Sequence, residues 1–164
     1  MTEAWLAGPV SGVDPFLMPA AHAFVQVQQE LPHLLQGLTV EQIWTRPAAS
    51  ASIGFHAAHL AGATDRLLTY ARGEPLSEAQ LAAAREERTL GGLDGTALVA
   101  RVNLALVAAL DQIRQTPREA LDQAREVGRQ RLPSTVLGLL FHAAEHATRH
   151  VGQIATLRKI VESS

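Results

Sequence analysis

Four long segments of this chain repeat their apolar residues at three- and four-residue steps, a period that commits a chain to helices packed through apolar faces. In the first, from about Pro15 to Gly37, Phe16, Leu17, Ala20, Phe24, Val27, Leu31, Leu34 and Leu35 share one face. The second runs from about Ile53 to Arg72. In the third, capped by Asp94 and reaching about Gln115, the stripe is Leu98, Val102, Leu106, Leu110 and Ile113. The last, about Thr135 to Val161, is the longest and most apolar. Aromatics make up only 4% of the chain, so the core must be built from Leu, Val, Ile and Ala. Ala and Leu lose little on entering a helix. No alternating strand pattern competes.

Local signals punctuate these segments. Pro32 is expected to kink or split the first helix, and Gly37 to stop it. Thr39-Val-Glu-Gln42 reads as a capping box for a short helical turn that ends at Arg46-Pro47. Ser52 is the expected N-cap of the second long helix, and Gly73-Glu-Pro75 ends it. Ser77-Glu-Ala-Gln80 is a second capping box and opens a short polar helix to about Arg88. Pro117 ends the third long helix. The charged stretch from Arg118 to Arg131 reads equally as a helical turn, a loop or a pair of short strands, and Pro133-Ser134 opens the last helix. Residues 1–14, with Gly8, Pro9 and Gly12, form an irregular arm. The 164 residues suit one domain. The expectation is therefore a single all-α domain over 1–164, a four-helix bundle with short extra helices in its connections.

Charge and composition narrow the function classes. The formal net charge is −2, so no basic surplus advertises nucleic acid as a partner. Cysteine is absent, which excludes disulfides, thiolate ligands and a cysteine nucleophile. The first residues lack the basic and apolar regions of a signal peptide, and no run of about 20 apolar residues suggests a membrane span. The chain reads as soluble and cytoplasmic.

Seven histidines are present, five of them in two short stretches. His56 and His59 lie on the second long helix. His142, His146 and His150 step by four along the last, each turning about 40° from the one before. His146 and His150 can clasp one ion, because side chains four apart are neighbours. A third ligand would come from a facing helix, and His59 is the obvious donor, flanked by Ala57, Ala58, Ala61 and Gly62. His56 shares roughly the face of His59 and could replace it or support the site from behind. His142 is likewise a supporting residue or an alternate ligand. Three imidazoles suit Zn, Ni, Fe or Cu rather than Mg or Ca, and leave open coordination positions. Glu145 falls off the metal stripe and reads as a surface partner of Arg149. Asp65 could orient an imidazole or pair with an arginine. His22 and His33 carry no such pattern.

Three segments in this order carry a resemblance: Trp44-Thr-Arg-Pro47, then Ser52-Ile-Gly-Phe-His-Ala-Ala-His59-Leu-Ala-Gly, then His146-Ala-Thr-Arg-His150-Val-Gly-Gln153-Ile. Over about Phe16 to Ile160 the chain resembles the DinB-like (DinB/YfiT) superfamily of metal-dependent proteins. The resemblance implies an up-down-down-up four-helix bundle, often a homodimer, with one metal ion, zinc or nickel, on three histidines that fall by position on His59, His146 and His150. It also implies thiol S-transferases that use a low-molecular-weight thiol, among relatives with other activities or none known. Many relatives carry a histidine directly before the last ligand. Here Arg149 stands there, a candidate for binding an anionic substrate or the thiol cofactor.

The leading expectation is a metal-dependent thiol S-transferase acting on a small-molecule substrate. Two alternatives are a metal-dependent hydrolase and a non-catalytic metal-binding module of the stress response. The hydrolase would need a general base, and the sequence offers no compelling one.

Overall fold

A computed structural model describes residues 2–163, so the extreme ends of the expected arm and domain lie outside the described residues. The long helices are α1 (Met18–Leu35), α3 (Ile53–Ala71), α5 (Gly95–Gln115) and α6 (Val136–Glu162). Short helices α2 (Val40–Trp44) and α4 (Glu78–Glu86) occupy two of the connections, and a two-stranded hairpin, β1 (Ala124–Val127) with β2 (Leu132–Thr135), occupies the third. The arm contains one 3₁₀ turn, Ala4–Leu6, which packs on α1.

Each long helix starts where its capping chemistry starts. Ser52 Oγ accepts from the Phe55 N–H at 3.1 Å, and Asp94 Oδ1 accepts from the Ala97 N–H at 2.8 Å. The capping boxes at Thr39 and Ser77 both close reciprocally through Gln42 and Gln80. α1 begins later than its apolar pattern does, at Met18, with Pro19 in the first turn, where a missing N–H costs nothing. It then runs unbroken past Pro32 to Leu35. The expected split does not occur, because Leu31 and Leu35 are both buried and the Gln36 N–H closes the turn onto the Pro32 carbonyl at 3.0 Å.

α1 and α3 each pack against both α5 and α6, so the four long helices form a ring around one core. Phe24, Leu31, Leu60, Leu106, Ile113, Leu140 and Ile154 fill it, all essentially inaccessible to solvent. Burying each of these side chains is worth about 1.5–3 kcal/mol. α3 and α6 share the most extensive contact, and both bury alanines there: Ala57, Ala58 and Ala61 on α3, Ala143, Ala144 and Ala147 on α6. Small side chains let helix axes approach closely. The two helices that carry the clustered histidines are thus held together.

The hairpin corrects one boundary. Pro133 and Ser134 lie in β2, paired with Glu126 and Arg125, and Thr135 is the N-cap of α6 through the Gly138 N–H at 3.0 Å. The strand forms there because Arg125 Nε donates to the Ala71 carbonyl at 2.8 Å, docking β1 on the end of α3. The other side of the core shows a different surface. Among the described helices α5 is long and apolar enough to cross a membrane by length and composition, although Arg101 and Asp111 interrupt its apolar residues. Its stripe from Leu98 to Ile113 is buried in the bundle, while Leu104 and Val107 face outward.

Candidate metal centre

His59, His146 and His150 come together between α3 and α6, with one ring nitrogen from each lying within 4.8 Å of the others. The His146 and His150 Nε2 atoms are 3.3 Å apart. Two nitrogens bound at about 2.0–2.1 Å to one tetrahedral ion stand about 3.3–3.4 Å apart, so this pair already has the bite of a chelate. The rings are correspondingly close, with centroids 4.4 Å apart for His146 and His150 and 4.9 Å for His59 and His150.

The other ring nitrogens are held from outside the cluster. His59 Nδ1 donates to Glu87 Oε2 at 2.8 Å, which leaves Nε2 as its donor atom for an ion. Glu87, only 4% exposed, also accepts from Arg66 Nη1 at 2.5 Å and Arg66 Nη2 at 3.3 Å. Gly62 makes room for this carboxylate: a Cβ at that position would collide with Glu87 Oε1 and crowd Arg66. His150 Nδ1 meets His56 Nδ1 at 2.9 Å. One of the two must donate and the other accept. If His150 offers Nε2 to an ion its Nδ1 carries the proton, and His56 is then the acceptor, protonated on Nε2.

Burial keeps His146 and His150 neutral near pH 7. Burial, reinforced by the His59 charge, pushes the His146 pKa down to about 4. Burial, reinforced by His146, pushes His150 down to about 3. Burial and then His59 also lower His56. A neutral imidazole is the form that binds a metal. For Glu87 burial works to raise the pKa, but the hydrogen bonds from His59 and Arg66 outweigh it, and the carboxyl is held below its usual range. Among the described residues His146 Nδ1 is buried without a hydrogen-bond partner, a frustrated polar atom within a cluster of like groups. The donor set and its spacing fit a divalent transition metal.

The remaining candidates fall outside this core. His142 is exposed. It faces Glu145, with Nδ1 to Oε2 at 3.4 Å, and only its ring edge approaches His146. Arg149 is also exposed and pairs with the same Glu145, as its spacing suggests. Asp65 touches no imidazole; it accepts from Gln80 Nε2 at 2.7 Å and ties α4 to α3. His22 meets the Gly8 carbonyl at 2.9 Å, away from the cluster. Glu87 and its partner Arg66 are absent from the sequence reading as parts of the site. The only signal available was Gly62, a glycine inside a helix, which is a mark of close approach.

A cavity of about 380 Å³ lies beside the centre. Phe55 and Glu87, which both line it, touch His59: the Phe55 ring stacks on the imidazole at 5.4 Å and 7°, and Glu87 binds its Nδ1. Trp44 forms another wall, fixed by its Nε1–H to the Leu93 carbonyl at 2.9 Å and seated against Gly54.

No curated protein matches the chain. Among solved structures it is similar to a DinB-like protein from Bacillus cereus ATCC 10987, with a TM-score of 0.63 and 16% identity, over 85% of this chain and 91% of that one. At that identity the likeness speaks for the fold alone. The sequence model of the DinB superfamily matches residues 23–154, a span that holds the bundle's histidine cluster and most of its core, and the chain belongs to the DinB superfamily.

Proposed function

We propose that this protein is a metal-dependent enzyme that binds one divalent ion, zinc or nickel, through His59, His146 and His150 and transfers a low-molecular-weight thiol to a small electrophile. The convergence of three imidazoles within 4.8 Å carries the reading. A divalent ion in such an open three-histidine site supplies Lewis acidity, which lowers the pKa of a thiol or water that reaches it.

The chain's own residues do the rest. Glu87 holds the His59 Nδ1 proton and so fixes the ring and its tautomer, while Arg66 and Gly62 keep the carboxylate in place. His56 does the same for His150 from the opposite side. The Phe55 and Trp44 walls of the neighbouring cavity exclude water from a bound substrate. In the transfer itself, the thiol gives up its proton to solvent, its sulfur forms a bond to an electrophilic carbon, and the bond from that carbon to its leaving group breaks, the group departing to solvent with the bonding pair. The absence of cysteine from the chain is consistent with a sulfur supplied by a cofactor.

Hydrolysis is the weaker reading, because Glu87, the buried carboxylate of the site, is already engaged by His59 and Arg66 and is not available as a base. Homodimer formation and a cytoplasmic location belong to the proposal; outward-facing Leu104 and Val107 on α5 support an interface between bundles. The test of the activity is consumption of monochlorobimane by zinc- or nickel-loaded protein with a thiol present. Turnover that needs both metal and thiol supports the transferase. Ester or amide turnover without thiol supports the hydrolase, and metal binding with neither activity leaves a non-catalytic module.

A further inference from the structure

The cavity beside the metal centre has an unbalanced charge. Its one carboxylate, Glu87, is neutralised within the protein by Arg66. Two further arginines, Arg46 and Arg88, line the same cavity. Among the described residues neither is paired with an acid. Arg46 uses only Nε, donating to the Ser50 carbonyl at 3.2 Å, and Arg88 makes no hydrogen bond or ion pair. Most of the other arginines of the bundle are satisfied by neighbours, including Arg66, Arg72, Arg125, Arg149 and Arg158. The first turn of α3, with Ser52 and Phe55, forms part of the wall and adds the positive end of a long helix. The apolar walls, Trp44, Phe55 and Leu90, offer contact for the carbon skeleton of a bound molecule, while Arg46 and Arg88 stand exposed at the cavity.

We propose that this cavity binds a small molecule through a carboxylate, gripped by Arg46 and Arg88, and so holds the molecule one side-chain layer from His59. Guanidinium forks match carboxylate geometry in two-point contacts. The volume, about 380 Å³, suits a small metabolite. This moves anion recognition from Arg149, which is occupied by Glu145 on the outer face of α6, to the α2–α3 and α4–α5 connections. The proposal rests on the metal-enzyme reading only for its occupant, either the thiol or the electrophile; the anion site itself stands on the cavity and its arginines.

The experiment titrates zinc-loaded wild type, Arg46→Gln, Arg88→Gln, the double variant and Arg88→Lys by calorimetry with mercaptosuccinate, its uncharged counterpart 1-thioglycerol, and succinate. Arg88 has no internal bond to lose, so its substitution separates recognition from folding. Wild type is expected to bind mercaptosuccinate at least about tenfold more tightly than thioglycerol, a difference of about 1.4 kcal/mol. The double variant should lose most of that preference and Arg88→Lys should keep part of it. Equal affinity for the two thiols, or a preference unchanged in the double variant, overturns the proposal. Succinate keeps the two readings apart. If cobalt-substituted protein shows no thiolate absorption band with either thiol, the thiol reading fails, while succinate binding that is lost in the double variant still supports the anion site. Succinate binding that the double variant retains, or none in wild type, counts against it.

Discussion

Glu87 Oε2 accepts the Nδ1 proton of His59 at 2.8 Å, so a residue from the end of a short connecting helix fixes the orientation of a ring on a core helix. The carboxylate reaches it only because residue 62 has no side chain. Removing either feature should loosen the metal without removing a ligand. Glu87→Gln and Gly62→Ala are each expected to weaken zinc binding about 10- to 100-fold, the usual cost of losing a partner that orients a ligand. Competition with a chromophoric chelator measures it. Unchanged affinity in both variants would show that the contact is incidental.

His56 makes a separable contribution. Its Nδ1 meets His150 Nδ1 at 2.9 Å, behind the face that His150 presents to His146. His56→Ala should therefore still bind one equivalent of metal, with affinity reduced about 10- to 100-fold. His59→Ala should not bind stably. If the two variants behave the other way round in the same chelator titration, His56 is the ligand and His59 its support.

The depressed histidine pKa values make the metal-free protein sensitive to acid. His146 at about 4 and His150 at about 3 bind protons less readily when folded than at the ordinary unfolded value of 6.5. The unfolded chain therefore takes up more protons between those limits, and stability must fall as pH drops below about 6.5. The slope approaches about 1.4 kcal/mol per pH unit for each such group and flattens once the folded pKa is passed. Urea unfolding of metal-free wild type and of His146→Ala from pH 7 to 4.5 should show a shallower slope in the variant. Parallel slopes would contradict the burial-driven shift.

Gly54 tests the packing of α2 on α3. A Cβ there would stand 2.7 Å from the Trp44 ring. Trp44 cannot retreat without giving up its bond to the Leu93 carbonyl. Gly54→Ala is expected to cost about 1–3 kcal/mol as overpacking, visible as a lower thermal midpoint. A midpoint at or above wild type would mean that Trp44 is free to move.

Much of this architecture is readable from residue spacing because its causes are local. Apolar period and side-chain caps mark α3 and α5, and the Thr39 and Ser77 capping boxes mark α2 and α4, since each signal lies within a few residues of the element it creates. The i,i+4 spacing of His146 and His150 and the small residues around His59 point to the cluster for the same reason. The failures are where distant contacts decide. Pro32 breaks a helix in isolation, but the burial of Leu31 and Leu35 overrides it. Pro133-Ser134 looks like a helix opening until Arg125 docks its partner strand on α3. Glu87 sits in the charged run Arg85-Glu-Glu-Arg88, which reads as a solvated helix end, and only the fold brings it beneath Gly62.

The central claim is that one divalent ion sits on His59, His146 and His150. Elemental analysis of untagged protein tests it most directly, beside His59→Ala and His146→Ala, after incubation with zinc or nickel and exhaustive dialysis. Wild type should retain about one equivalent and both variants should retain essentially none. A wild type without metal after that incubation, or variants that hold as much as wild type, would contradict the three-histidine site and remove the physical basis of the proposed chemistry.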